Sequence, residues 1–186
     1  MTTKTDLSHT LDFHVKEVLK GKRRFENVFE AVTRMILEGP DSFEKIKVCG
    51  KTTYDYTIFR RGAKHLVGLY DEITSFVSFV KDAAERGSSS EMAYVLVGEP
   101  GNGKTFFVEY LCAQYRNFLR QDGNRRYTFK FTGLDKLARY GRITEIESQT
   151  FEDPMVLAMN IHGSKEASFE HLGKHGFKDA DLTTLE

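Results

Sequence analysis

The chain has 186 residues, of which 40% are hydrophobic, and its 27 basic and 27 acidic side chains give a formal net charge of zero. This length and composition predict one packed domain with an appendage, and they exclude a wholly disordered chain. The neutral charge balance gives no electrostatic reason to expect nucleic acid or an anionic membrane surface as a partner.

No segment has the features of a membrane span or a signal peptide. No apolar run approaches the roughly 18 residues that a span requires, and Met1 to Lys20 is mixed polar and charged. Cys49 and Cys112 are isolated and form no Cys-x-x-Cys pair, which is typical of reduced thiols. We therefore expect a cytoplasmic protein without membrane contact.

Residues 1–60 predict a helical lead-in that includes a short extended segment. An amphipathic helix starts near Ser8 or Thr10, and a second apolar stripe runs from Phe25 to Ile36 before Gly39-Pro40 ends it. Residues 53–58 then alternate between polar and apolar side chains, which predicts a half-exposed strand.

Residues 61–186 predict the N-terminal part of an α/β domain. A helical pattern extends from Ala63 to Arg86, and the β-branched run Ala93–Val97 reads as a buried parallel strand. Another helix is expected from Thr105 to about Leu119, followed by a strand at Tyr127–Phe131. This order is the beginning of a doubly wound parallel sheet, which is incomplete because only two strands follow from the pattern.

A glycine-rich loop lies between the strand and the helix that follows it. Its sequence G-x-x-x-x-G-K-T comprises Gly98, Glu99, Pro100, Gly101, Asn102, Gly103, Lys104 and Thr105. Such a loop turns tightly, so that its N–H groups surround a phosphate at the positive end of the helix. The pattern predicts a P-loop NTPase site that binds ATP and Mg²⁺, whereas the alternative is a chance glycine-rich turn.

Individual residues of this loop have predicted roles. Lys104 can reach the β- and γ-phosphates, and the hydroxyl of Thr105 can bind Mg²⁺. Phe106 is a candidate for contact with the base or ribose, or else packs in the core. The Asp-x-x-Gly and Asn-Lys-x-Asp sequences of a GTPase are absent from the chain.

Hydrolysis or transfer also requires an acidic residue at the end of a neighbouring strand. The best candidate strand, Met155–Met159, ends in Asn160, which carries no charge. Because Pro154 opens this run, a helix is favoured there. No catalytic residue is therefore identified, and we expect weak or no turnover from these 186 residues.

The loop and its upstream sequence together resemble a known family. Leu66-Val67-Gly68-Leu69, the helix through Phe76 to Val80, the strand and the loop are similar to the AAA-type domain at the N-terminus of PrkA-type serine protein kinases. The segments Arg23–Phe25 and Ser148–Pro154 are also similar. The loop departs from that family, which has Pro-Val-Gly-Gly-Gly-Lys-Ser, and is closer to general AAA-type ATPases.

The resemblance implies ATP-dependent phosphoryl transfer to protein serine by a longer protein. It also implies a protein substrate or regulatory partner and a possible homo-oligomer, and it places Val67 and Gly68 near the adenine. The acidic strand, sensor and arginine-finger positions would then follow Glu186. A general AAA-type remodelling ATPase and a non-catalytic nucleotide-sensing module remain alternatives.

Overall fold

The structure is a computed structural model that describes residues 9–62, 66, 68–136, 141–160, 170 and 173–174. The chain divides into two compact units, one formed by residues 1–25 and 122–186 and the other by residues 26–121. The helices and strands, in chain order, are α1 (Leu11–Leu19), α2 (Val28–Leu37), β1 (Phe43–Val48), β2 (Lys51–Tyr56), α3 (Tyr70–Ala84), α4 (Lys104–Leu119), β3 (Lys130–Thr132), β4 (Glu145–Glu147) and α5 (Pro154–Asn160).

The unit of residues 26–121 begins with a well-capped helix and a hairpin. The Asn27 side chain accepts a hydrogen bond from the backbone N–H of Glu30 at 2.9 Å, and the Glu30 carboxylate accepts one from the N–H of Asn27 at 2.7 Å. This capping box fixes the start of α2. Strands β1 and β2 pair antiparallel, with Phe43 opposite Tyr56 and a two-residue turn at Cys49-Gly50.

Helices α2, α3 and α4 bury their apolar stripes in one core with the end of the hairpin. Phe59 lies within this core and is only 2% exposed, and its ring stacks on that of Phe107 with the centroids 5.9 Å apart. The buried members of this core are Met35, Ile36, Tyr56, Ile58, Phe59, Leu66, Ile73, Phe76, Val77, Val80, Phe107, Tyr110 and Phe118.

The unit of residues 1–25 and 122–186 has a smaller core. Val15 of α1 packs against Met155 and Ala158 of α5. Beside them the buried His14 receives a hydrogen bond from Arg23 at its Nδ1 (2.9 Å), so its Nε2 carries the proton and faces Asp153 at 3.3 Å. Strands β3 and β4 pair antiparallel, with Phe131 opposite Ile146.

The mixed α/β class is confirmed, together with the predicted helices: α2 and α3 are shorter than predicted, and α4 begins one residue earlier. Thr10 caps α1, as one of the two predicted caps, and the alternating segment 53–58 lies mostly in β2. Met155–Met159 belongs to helix α5, which was the favoured alternative. The start of the predicted third helix, at residues 63–65 and 67, lies outside the described residues, and α3 begins at Tyr70.

The expected parallel sheet is not present in the part of the chain that the structure describes. Within the described residues, Ala93–Val97 forms no strand and pairs with none. The strand predicted at Tyr127–Phe131 lies instead at Lys130–Thr132. That strand pairs antiparallel with β4, its near neighbour in sequence. Parallel pairing needs strands from distant segments, and the local apolar pattern does not specify them. No described helix is long and apolar enough to cross a membrane.

Candidate functional site

The loop from Gly98 to Gly103 leads directly into α4 through two left-handed backbone positions. Gly101 has φ of 87° and Gly103 has φ of 74°. A side chain at these angles brings Cβ too close to the backbone, whereas glycine adopts them without strain. A Cβ at either position would meet nothing within 4 Å, so glycine is needed for its torsion angles rather than for space.

The start of α4 offers unsatisfied backbone donors. Gly103 is the N-cap and supplies no side-chain cap, and the N–H of Phe107 bonds to its carbonyl at 2.8 Å. The N–H groups of residues 104–106 precede that first helical bond and have no partner within the helix. Together with the helix dipole they make this end of α4 attractive to an anion.

Lys104 brings a positive charge to the same place. Its Nζ donates to the carbonyl oxygens of Gly98 and Glu99, both at 2.7 Å, so the loop folds back over the ammonium group. The N–H of Asn102 also bonds to the Glu99 carbonyl at 3.3 Å, which closes the turn. An ammonium group has three donors, and one is left for a further acceptor.

A cavity of about 420 Å³ opens beside this loop, within the range of small-molecule sites. Loop residues form its polar end, and α3, α4 and the extended segment 93–97 form the remainder, which is mostly apolar. The lining residues are Leu69, Glu72, Ile73, Tyr94, Leu96, Val97, Gly98, Asn102, Gly103, Lys104 and Phe107.

Some of the predicted site residues line this cavity and others do not. Gly98, Asn102, Gly103 and Lys104 belong to its lining, and the remaining loop residues lie outside it. These others, Glu99, Pro100, Gly101 and Thr105, are exposed, and Thr105 is the second residue of α4.

The predicted residues near the base have different positions. Phe106 is half-buried against the main core, with its ring centroid 6.0 Å from that of Tyr110, and it does not line the cavity. Gly68 is exposed with φ of 81° and directly precedes Leu69, which does line it. Val67 lies outside the described residues.

Sequence reasoning missed the wall of the cavity opposite the loop. Ile73 and Phe107 lie within two of the predicted helices, and both are buried. Tyr94 and Leu96 are half-buried and alternate with exposed neighbours, a two-faced pattern that the continuous apolar run Ala93–Val97 does not reveal in the sequence. Glu72 occupies an exposed position in the first turn of α3, where sequence offers no signal.

Tyr110 anchors the helix that carries the loop. Its hydroxyl donates to the carbonyl oxygens of Ile58 at 2.8 Å and Arg61 at 2.5 Å. Burial raises the pKa of this hydroxyl above its ordinary value, although the backbone and positive charge of Arg61 and the side chain of Gln114 partly offset the effect. The start of α4 is therefore held against a fixed neighbouring segment.

Within the described residues, no group of three or more His, Cys, Asp or Glu side chains is arranged to hold a metal ion. The loop instead offers the backbone N–H groups at the start of α4 and the ammonium group of Lys104. No protein-family model, curated protein or solved structure matches the chain.

Proposed function

We propose that the chain binds Mg·ATP at the loop from Gly98 to Thr105. One observation carries this proposal. Left-handed Gly101 and Gly103 bring the uncapped start of α4 and the Lys104 ammonium to one end of a 420 Å³ cavity. A phosphate chain is the ligand that such a combination of backbone donors and positive charge favours.

The phosphates would occupy the loop end of the cavity. Backbone N–H groups from Gly101 to Thr105 would donate to the phosphate oxygens, and Lys104 would neutralise part of their charge. The exposed hydroxyl of Thr105 is free to bind a magnesium ion that arrives with the phosphates. Magnesium commonly binds through one or two protein groups plus substrate oxygens, which suits a site without a carboxylate cluster.

The adenosine would occupy the apolar end. Ile73, Tyr94 and Phe107 present aliphatic and aromatic surface there, and such surface favours a planar base. Leu69 belongs to the same wall, and the preceding Val67-Gly68 would then lie close to the adenine, as the family resemblance implies.

We also infer that Ala93–Val97 is a strand position of a P-loop sheet. Tyr94 and Leu96 are half-buried, whereas Val95 is 72% exposed and Val97 is 91% exposed, which is the alternation of an extended strand. Two strongly exposed valines in an extended segment next to a glycine-rich loop favour the interpretation that this segment pairs with further strands.

In the cell, we propose that this site serves the AAA-type module of a cytoplasmic PrkA-like serine protein kinase. The support is the resemblance of the loop and its upstream helix, together with the loop geometry. A general AAA-type remodelling ATPase is the alternative that the loop sequence Pro100–Thr105 favours. A nucleotide-sensing module is favoured by the Lys104 contacts, because a phosphate must compete with the loop carbonyls for the ammonium.

The test of binding is calorimetric titration of Mg·ATP into the chain and into Lys104→Ala. Charge-assisted hydrogen bonds contribute about 1.5–3 kcal/mol, so we expect affinity to fall by about tenfold to a hundredfold. Lys45→Ala removes an exposed lysine of β1 outside the cavity and should bind as the parent does. A folded parent chain that does not bind Mg·ATP would contradict the proposal.

The fate of the γ-phosphate separates the three roles. In the longer protein that the resemblance implies, label on serine of a protein identifies a kinase, free phosphate alone identifies an ATPase, and binding with no turnover identifies a sensing module. For these 186 residues we expect little turnover, because the described part shows no parallel strand end with an acid beside the loop. Steady hydrolysis that disappears in Lys104→Ala would refute that expectation.

A further inference from the structure

The cavity has one acidic residue in its described lining, Glu72. Glu72 belongs to the first turn of α3, and its backbone carbonyl accepts a hydrogen bond from the Tyr94 hydroxyl at 3.3 Å. This bond links two walls of the cavity. The backbone of Glu72 is therefore connected to Tyr94, whose ring belongs to the surface on which a base would lie.

The carboxylate of Glu72 is available, whereas that of its neighbour is not. Asp71 accepts hydrogen bonds from Lys51 at 2.8 Å and Thr53 at 3.3 Å, and the Lys51 ammonium lowers the Asp71 pKa. For the Glu72 carboxylate there is no hydrogen-bond or ion-pair partner in the part of the chain that the structure describes. A charged acceptor thus lines a ligand-sized cavity with its bonding capacity unused.

We propose that Glu72 recognises the ribose of the bound nucleotide by accepting hydrogen bonds from its 2′- and 3′-hydroxyl groups. This inference rests on the proposed nucleotide site. An ionised carboxylate accepts hydrogen bonds and donates none, and its two oxygens match the two donors of a vicinal diol. An acidic side chain performs this task in dinucleotide-binding folds.

The order of groups along a nucleotide supports the assignment. With the phosphates at Lys104 and the base on Ile73 and Phe107, the ribose lies between the polar and apolar ends. The described lining beyond the loop offers no other side chain that only accepts hydrogen bonds. The carboxylate would also repel a 2′-phosphate, which favours ATP over a 2′-phosphorylated nucleotide.

The experiment compares the affinities of Mg·ATP and Mg·2′-deoxy-ATP for the chain, for Glu72→Ala and for Glu109→Ala. Glu109 is an exposed residue of α4 outside the cavity, so its removal matches the change in charge. We expect the parent to prefer ATP by about fivefold to tenfold, since a solvent-accessible bond to a charged group is worth about 1 kcal/mol or slightly more. Glu72→Ala should lose this preference and Glu109→Ala should keep it.

The ratio of the two affinities is the readout, because removing a negative charge can strengthen the binding of any anion. Equal affinity of the parent for both nucleotides would overturn the inference, as would a preference that persists in Glu72→Ala. A preference for Mg·GTP that disappears in Glu72→Ala would assign the carboxylate to the base edge instead. Failure of every variant and of the parent to bind Mg·ATP would refute the nucleotide site itself.

Discussion

Removing the hydroxyl of Tyr110 should destabilise the unit of residues 26–121 without changing its shape. In Tyr110→Phe the ring keeps its place among Phe59 and the other core side chains, and the one hydroxyl proton that the carbonyls of Ile58 and Arg61 share is lost. The carbonyl oxygens of Ile58 and Arg61 are then left without this donor. The bond to Ile58 is buried, so water cannot replace it easily.

The magnitude follows from the loss of this shared donor. A typical net hydrogen bond contributes about 1 kcal/mol, and a buried acceptor left unsatisfied costs about 1–3 kcal/mol. We therefore expect a loss of about 2 kcal/mol in the free energy of unfolding. With a slope of about 2 kcal/mol per molar urea, the unfolding midpoint should fall by about 1 M.

The assay is urea denaturation of the parent, Tyr110→Phe and Tyr54→Phe, followed by circular dichroism. Tyr54 is a half-buried tyrosine in β2 with aromatic neighbours, and no hydrogen bond of its hydroxyl is found within the described ranges. Its variant should match the parent. A loss below about 0.5 kcal/mol in Tyr110→Phe, or an equal loss in the control, would refute the reasoning.

The same comparison has a defined pH dependence. Burial raises the Tyr110 pKa above its ordinary 10.0, so the folded state holds this proton more tightly than the unfolded state. The corresponding stability is complete below pH 10 and is lost as the pH rises through the folded pKa. Because phenylalanine does not titrate, the difference between the parent and Tyr110→Phe should narrow above that pH.

Two further predictions concern the loop and the buried ion pair. Gly103→Ala and Gly133→Ala each place a Cβ at φ of 74° in open space, so each should cost about 1–2 kcal/mol of stability, but only Gly103→Ala should weaken Mg·ATP binding in calorimetry. Glu26 accepts hydrogen bonds from Arg34 at 2.7 and 3.1 Å, and both side chains are nearly buried, so Glu26→Gln should lose about 1–3 kcal/mol in urea denaturation. Glu38→Gln removes the exposed partner of the same arginine and should lose less than about 1 kcal/mol. Equal weakening of Mg·ATP binding by the two glycine variants, or equal losses of stability in Glu26→Gln and Glu38→Gln, would contradict the argument.

Helices were predictable here because their signals are local. The apolar stripes of α2, α3 and α4 recur every three to four residues, and Gly39-Pro40 ends the first of them in the sequence itself. Asn27 and Glu30 form a capping box, which can be recognised in the sequence because its two members are three residues apart. The strand pairing was not predictable in the same way. Ala93–Val97 has the composition of a strand, but composition does not specify which segment a strand would pair with.

The loop end of the candidate site was predictable for the same local reason, and the opposite wall was not. Eight consecutive residues, Gly98 to Thr105, contain the turn, the charge and the helix start. Glu72 and Tyr94 are 22 residues apart and meet only through the packing of α3 against the extended segment. Such a contact requires the tertiary fold, which sequence periodicity does not specify.

The contacts of Lys104 with two backbone carbonyls are the part of the loop that nucleotide binding would disturb. The two carbonyl oxygens that hold its ammonium carry partial negative charge, so they would repel the phosphates that approach the same group. Nucleotide binding at the proposed site would therefore be favoured by a movement that separates the Lys104 ammonium from the carbonyls of Gly98 and Glu99, and such a movement can alter the torsion angles of the loop. Glycine at positions 101 and 103 permits that change at low cost. The loop glycines would thus accommodate both the arrangement described here and the one that a phosphate would select. An alanine at position 103 would restrict the change between them, so we expect Gly103→Ala to weaken Mg·ATP binding by more than its loss of stability explains.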